Sequence, residues 1–259
     1  MLRAVADVIY PKVCVACGRG GWPFCPSCWK SVAVLAPPGC RRCGRPYEAA
    51  VAACRDCPGG NLAWSRSAFL YDGPVRHVLM RLKFGKMRSF AEAVAPWMLE
   101  AFARAPPTGW SGAFTGSPSD VLTTWVPLGR RRKRERGYDQ AEMLARDFAA
   151  FTGSPLRRLL DRTVETPPQA TRSGADRRRA LRGAFSAIST PPARVVLVDD
   201  VLTTGATASE CARTLLAAGA RQVGAITVAR SLGGPLPTRC YTRAGLQPGS
   251  VVARETFSR

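Results

Sequence analysis

Histidine and acidic residues are both scarce in this chain. Among 259 residues there is one histidine, and 18 Asp and Glu stand against 38 Lys and Arg, for a formal charge of +20. The single histidine, His77, falls on the polar face of a helical pattern and reads as a surface side chain. No residue stands out as a general base, and no segment stands out as a nucleobase pocket. There is no Gly-x-x-x-x-Gly-Lys-Ser/Thr loop, which excludes the common nucleotide-hydrolase phosphate site. No apolar run is long enough to span a bilayer. No secretory leader is expected, because Asp7 interrupts the short apolar start and no cleavage pattern follows it.

Cysteine, by contrast, is plentiful, with ten in the chain. Eight of them form four Cys-x-x-Cys pairs: Cys14/Cys17, Cys25/Cys28, Cys40/Cys43 and Cys54/Cys57. At this spacing two thiolates converge on one tetrahedral Zn²⁺, and two pairs complete a closed Cys₄ site. Two structural zinc ions are therefore expected. Gly18 and Gly44 each follow a pair, as knuckle turns require. Disulfides in a secreted scaffold are the competing reading, but a reduced, cytoplasmic location fits the rest of the chain better. Consecutive pairing gives a very tight ribbon and interleaved pairing gives longer loops, and the spacing alone leaves both open. Closed Cys₄ sites have no open coordination position, so catalysis by the metal is not expected. Cys211 reads as a small apolar helix residue.

Near the other end, Val195–Val201 is an apolar, β-branched run that carries Asp199 and Asp200, and Thr203-Thr204-Gly205-Ala206-Thr207 follows directly. The run reads as a buried parallel strand whose carboxyl end faces a ligand crevice. The small loop can turn backbone N–H groups and threonine hydroxyls toward a phosphate, aided by the next helix N-terminus. Asp199 and Asp200 can accept hydrogen bonds from vicinal ribose hydroxyls. The stretch resembles the binding motif for 5-phosphoribosyl-1-pyrophosphate (PRPP) of type I phosphoribosyltransferases. Thr207 and Glu210 suggest a capping box opening the helix, and Val223–Val228 reads as the following strand.

Between these motifs, Trp64–Tyr71 reads as a strand, Pro74 opens a helix, and Phe90 to Phe102 continues as a second helix. Ala105–Ser119 is rich in Pro, Gly and Ser and reads as a surface loop or a linker inside the domain. Val121–Val126 is the next strand. Arg130–Arg136 reads as an arginine loop, and a helix is expected from about Gln140 to Phe151. Three regions result: residues 1–60 as a double zinc-ribbon module, 61–230 as an α/β domain, and 231–259 as a basic, loosely ordered tail.

The full order of motifs resembles the ComF family of competence proteins. It comprises the paired Cys-x-x-Cys ribbons, Leu82-Lys83-Phe84-Gly85, Val126-Pro127-Leu128, Arg136-Gly137-Tyr138-Asp139-Gln140-Ala141, Thr166-Pro167-Pro168-Gln169, Arg182-Gly183-Ala184-Phe185 and the PRPP motif. Gly129, Asp139 and Ala180 depart from the family pattern, in which histidine, asparagine and asparagine are usual. The resemblance implies a type I phosphoribosyltransferase fold: a Rossmann-like parallel sheet with helices on both faces and a hood. It further implies PRPP with Mg²⁺ as ligand, Asp199 and Asp200 on the ribose, and Thr203, Thr204, Gly205, Ala206 and Thr207 around the 5′-phosphate. Lys83, Arg130, Arg131 and Arg136 become candidates for the pyrophosphate, with Gln169, Arg172 and Arg178 on the hood. The implied role is phosphoribosyl transfer to a nitrogenous acceptor, linked to DNA uptake. The alternative is a non-catalytic factor that binds single-stranded DNA, a competence helicase or other transformation proteins. The charge and the ribbon aromatics Trp22, Phe24, Trp29 and Tyr47 are compatible with the latter, although core packing suits those aromatics as well. A homodimer is possible by analogy with the fold.

Overall fold

The computed structural model describes residues 13–58, 60–84, 88–114, 121–164, 179–232 and 241–243. Hood candidates Gln169, Arg172 and Arg178 lie outside the described residues, and so does the side chain of Lys83.

The backbone orders itself around one six-stranded sheet. Its strands are β1 (Ala33–Leu35), β2 (Trp64–Leu70), β3 (Leu122–Trp125), β6 (Arg194–Leu202), β7 (Gln222–Arg230) and β8 (Tyr241–Arg243), in spatial order β3-β6-β7-β2-β1-β8. A second, two-stranded sheet pairs β4 (Leu160–Arg162) with β5 (Phe185–Ala187) antiparallel. The four strands β3, β6, β7 and β2 are parallel, whereas β1 and β8 add on antiparallel. The helices are α1 (Pro26–Trp29), α2 (Gly73–Phe84), α3 (Arg88–Ala103), α4 (Arg130–Arg136), α5 (Gln140–Thr152) and α6 (Ala206–Ala217).

The β6 sequence explains why both faces are covered. Its side chains alternate between two cores: Val196 and Val198 join α2, α3 and α5 on one face, and Val195 and Leu197 join α6 and the β4–β5 hairpin on the other. The run Val195–Val198, apolar and buried at every position, suits a parallel sheet covered on both sides. The α/β class expected from the motifs is the class observed.

Three regional expectations need correction. Arg130–Arg136 is a helix, not a loop, started at Gly129 and ended by Gly137 at φ +75°. The segment after α3 is anchored in the core, because the Trp110 indole, 1% exposed, meets Trp64 edge-on with centroids 5.1 Å apart. A Pro- and Gly-rich composition conceals such an anchor, since one aromatic carries no periodicity. Residues 241–243, expected in a loose tail, form β8 on the outer edge of β1.

The ribbon is also less separate than its composition implies. Val15, Phe24, Val32 and Val34 belong to the same apolar cluster as β2 and α3. Trp29 lies with its centroid 5.0 Å from Trp97 and 6.4 Å from Phe69. Phe24 and Trp29 are thus packing residues, while Trp22 and Tyr47 are half-buried.

Candidate functional site: two cysteine clusters and a carboxylate–arginine cleft

The structure decides how the cysteines combine. Cys14, Cys17, Cys25 and Cys28 form one group, and Cys40, Cys43, Cys54 and Cys57 form the other, with all ligand atoms of a group within 4.8 Å of one another. Pairing is therefore consecutive. Cys17 and Cys25 sulfurs lie 3.6 Å apart, Cys40 and Cys57 3.6 Å, Cys43 and Cys54 3.5 Å, and Cys54 and Cys57 3.7 Å. A tetrahedron with Zn–S of about 2.3 Å sets sulfurs roughly 3.8 Å apart, whereas a disulfide needs about 2.05 Å. The four-thiolate sets fit Zn²⁺.

Local sequence builds each knuckle. Gly18 and Gly44 take left-handed φ values of +77° and +65°, which let their N–H groups return to Cys14 O and Cys40 O at 2.8 Å each. Backbone N–H groups then face sulfur, with Cys43 N–H donating to Cys40 Sγ at 3.4 Å and Cys28 N–H to Cys25 Sγ at 3.5 Å. Burial pushes the Cys14 and Cys40 thiols up, but the N–H groups aimed at them outweigh it and bring them down to about 6 and about 7. Burial pushes the Cys28, Cys43 and Cys57 thiols of the same clusters up, so ionising all four ligands of a cluster calls for a bound cation.

The second group of residues converges toward the carboxyl end of β6. Asp199 and Asp200 are half-buried there, and the Asp200 N–H donates to Asp199 Oδ1 at 2.8 Å. Thr203 and Thr204 are exposed, while Gly205 and Ala206 are buried and start α6. The expected capping box is not formed. Gly205, at φ +72°, is the N-cap, and Ala206 N–H reaches Thr204 Oγ1 at 3.4 Å. Glu210 points elsewhere, accepting the Gly183 N–H at 2.7 Å and gripping Arg213 at 2.7 and 3.0 Å.

A cleft of ≈ 180 Å³ joins Asp199, Asp200 and Thr207 to Arg132, Arg136, Arg162 and Asp139. Two of its arginines are new. Arg132 and Arg136 lie one helical turn apart on α4 and share its inner side, which a loop reading conceals. Arg162 closes the cleft from β4, its guanidinium 5.3 Å from the Phe185 ring centroid. Arg130 and Arg131 face outward instead, 83% and 78% exposed, and pair with Asp161 at 3.8 Å and Glu135 at 2.8 Å. Of the three α4 arginines expected at the site, only Arg136 lines the cleft, and it donates to Gln140 Oε1 at 2.9 Å.

Asp139 holds the rim in place. Its Oδ2 accepts the Leu128 N–H at 2.8 Å, and its Oδ1 accepts Ala141 and Glu142 N–H groups at 3.1 and 3.3 Å as N-cap of α5. Burial pushes this carboxyl up in pKa, against the pull of the N–H donors. An asparagine has one such acceptor oxygen, so the aspartate serves both strands of this turn.

Two Cys₄ clusters packed against a mostly parallel α/β sheet define a zinc-ribbon α/β protein. Residues 5–58 match the double zinc ribbon domain. Over 215 residues the chain is 29% identical to competence protein F of Haemophilus influenzae, covering 80% of this chain and 90% of that protein. It is 29% identical over 230 residues to the DNA utilization protein YhgH of Salmonella typhi, covering 86% and 98% respectively. It is 28% identical over 223 residues to competence protein ComFC of Bacillus subtilis, covering 80% and 84%. The resemblance to the ComF family read from its motifs is borne out by these relatives over most of the chain's length. Among solved structures, the allosteric regulatory enzyme of purine biosynthesis aligns at a TM-score of 0.35 and 21% identity, over 57% of this chain and 29% of that one. Among the described residues, no helix is long and apolar enough to cross a membrane.

Proposed function

We propose that the chain binds PRPP with Mg²⁺ in the β6–α6 cleft and transfers its phosphoribosyl group to a nitrogenous acceptor, in a process of DNA uptake or utilization like that named for its relatives. The observation that carries this reading is the cleft in which Asp199, Asp200 and Thr207 face three arginines, with Asp139 at its rim. A diphosphorylated ribose has matching chemistry: vicinal hydroxyls for Asp199 and Asp200, a 5′-phosphate for the Thr203–Thr207 loop, and a pyrophosphate for Arg132, Arg136 and Arg162. Transfer forms a bond from the acceptor nitrogen to C1 as the C1–oxygen bond breaks, and the electron pair leaves with pyrophosphate. The acceptor nitrogen then loses its proton to solvent. Charge develops on ribose and leaving group, so the chain's task is orientation and charge compensation. Bound Mg²⁺, a hard cation that prefers oxygen, would neutralise diphosphate charge beside Asp199 and Asp200.

The test is calorimetric titration of PRPP with Mg²⁺ into zinc-loaded wild type and an Asp199→Asn/Asp200→Asn variant. Binding by the wild type that the variant loses is expected. A folded, zinc-loaded wild type that binds no PRPP would sink the reading.

A second reading, a nucleic-acid-handling accessory, is favoured by the charge of +20 and by the outward Arg130 and Arg131. Its mark would be single-stranded DNA affinity that falls steeply with salt and ignores PRPP.

A further inference from the structure

The second cysteine cluster sits against the phosphate loop. The chain leaves its last ligand, Cys57, directly into Pro58, and the Pro58 ring covers Gly205. A Cβ built on Gly205 would lie 2.3 Å from Pro58 Cβ and 2.9 Å from Pro58 Cγ. With φ at +72° and no room for a side chain, the position is restricted to glycine twice over. Three residues on, Asn61 Nδ2 donates to the carbonyl and the hydroxyl of Ser209 in the first turn of α6, at 3.3 Å each. Pro58 therefore touches the loop at its glycine, and Asn61 touches the helix that follows it.

The other side of the cluster is tied to the sheet by two buried arginines. Arg230 ends β7 directly across from Leu202, donates to Cys43 O and is 2% exposed. Arg66, 3% exposed, donates to Arg41 O at 2.8 Å and Arg42 O at 3.3 Å between the cysteines. Four thiolates around one Zn²⁺ carry two net negative charges, a counter-charge that suits two buried guanidinium groups. Loss of the metal would remove both that charge and the fixed start of the Pro58 segment.

Resting on the reading of Thr203–Thr207 as a phosphate loop, we infer that zinc in the Cys40–Cys43–Cys54–Cys57 cluster positions this loop through Pro58, so that zinc and the sugar phosphate bind with positive linkage. Linkage is reciprocal: whatever factor zinc adds to PRPP affinity, PRPP adds to zinc affinity. The first cluster is an internal control, since its ligands belong to the Cys14–Cys28 segment.

The experiment uses the full chain with two zinc ions bound. Equilibrium competition against a chromophoric zinc chelator, with and without PRPP and Mg²⁺, should show one of the two zinc ions held more tightly, by about fivefold or more. Pro58→Gly, still holding two zinc ions, should bind PRPP more weakly by a similar factor. If wild type binds PRPP but both zinc affinities are unchanged and Pro58→Gly binds like wild type, the linkage is overturned while the phosphate reading stands. If wild type binds no PRPP, the phosphate reading fails and the linkage falls with it.

Discussion

Glu210 reaches back from α6 to the turn before β5: its Oε1 accepts the backbone N–H of Gly183 at 2.7 Å, while Arg213 holds both carboxylate oxygens. This contact joins α6, the helix that follows the Thr203–Thr207 loop, to the segment leading into β5. Burial pushes the Glu210 carboxyl up in pKa, but the Arg213 guanidinium and the Gly183 N–H pull harder, leaving it below its ordinary value. A carboxyl depressed by folding contributes stability above its unfolded pKa and loses it as pH falls through its folded one. Glu210→Ala should therefore cost about 1–3 kcal/mol at neutral pH, since it strands a part-buried N–H. Urea denaturation would measure this, and the gap between wild type and variant should narrow in acid. A gap independent of pH would contradict the carboxylate's role.

The cleft arginines separate from the surface arginines in a way that ligand binding can test. Arg132→Ala or Arg162→Ala should each weaken PRPP binding by roughly tenfold or more, as loss of a charge-assisted hydrogen bond of about 1.5–3 kcal/mol implies. Arg131→Ala, whose side chain is 78% exposed and paired with Glu135, should change it little. Calorimetry on the three variants decides, and an equal loss from all three would point to diffuse charge rather than a built site.

Asp139→Asn should lose one of the two acceptor sites that now serve Leu128 and the α5 N-terminus. The expected cost is about 1 kcal/mol of stability, the usual scale for an N-cap acceptor. Thermal denaturation would read it. An unchanged midpoint would mean the rim does not need both oxygens.

Gly224 in β7 leaves room for Trp64, whose Cε2 would stand 2.0 Å from any added Cβ. Both belong to backbone that cannot yield easily, since Trp64 is paired to Gly224 across the parallel ladder. Gly224→Ala should destabilise the fold by about 1–3 kcal/mol through overpacking, visible as a lower urea midpoint. A variant as stable as wild type would show that the indole can swing away.

Metal content checks the ribbon. Elemental analysis should find two zinc ions per chain, falling to one in Cys54→Ser if the clusters are independent. Because Val15, Phe24 and Val34 share the main core, chelation should also loosen the α/β domain, seen as faster amide exchange in β2. Chelation that leaves β2 exchange untouched would make the ribbon a separate module.

What the sequence determined by itself was local. Each Cys-x-x-Cys knuckle, the β6 strand and its Asp199–Thr207 extension are built from residues a few positions apart, so spacing and side-chain chemistry sufficed to read them. Tertiary structure decided what depends on contacts between distant residues. Spacing could not choose between two partitions of eight cysteines; folding did, by bringing Cys25 and Cys28 to Cys14 and Cys17, and Cys54 and Cys57 to Cys40 and Cys43. It also turned an arginine run into a helix, which sorted Arg132 and Arg136 inward and Arg130 and Arg131 outward. Finally it brought Pro58 onto Gly205, 147 positions away by subtraction of their numbers. That contact exists because the fold seats the second cysteine cluster beside the Thr203–Thr207 loop, a packing outcome that no periodicity encodes.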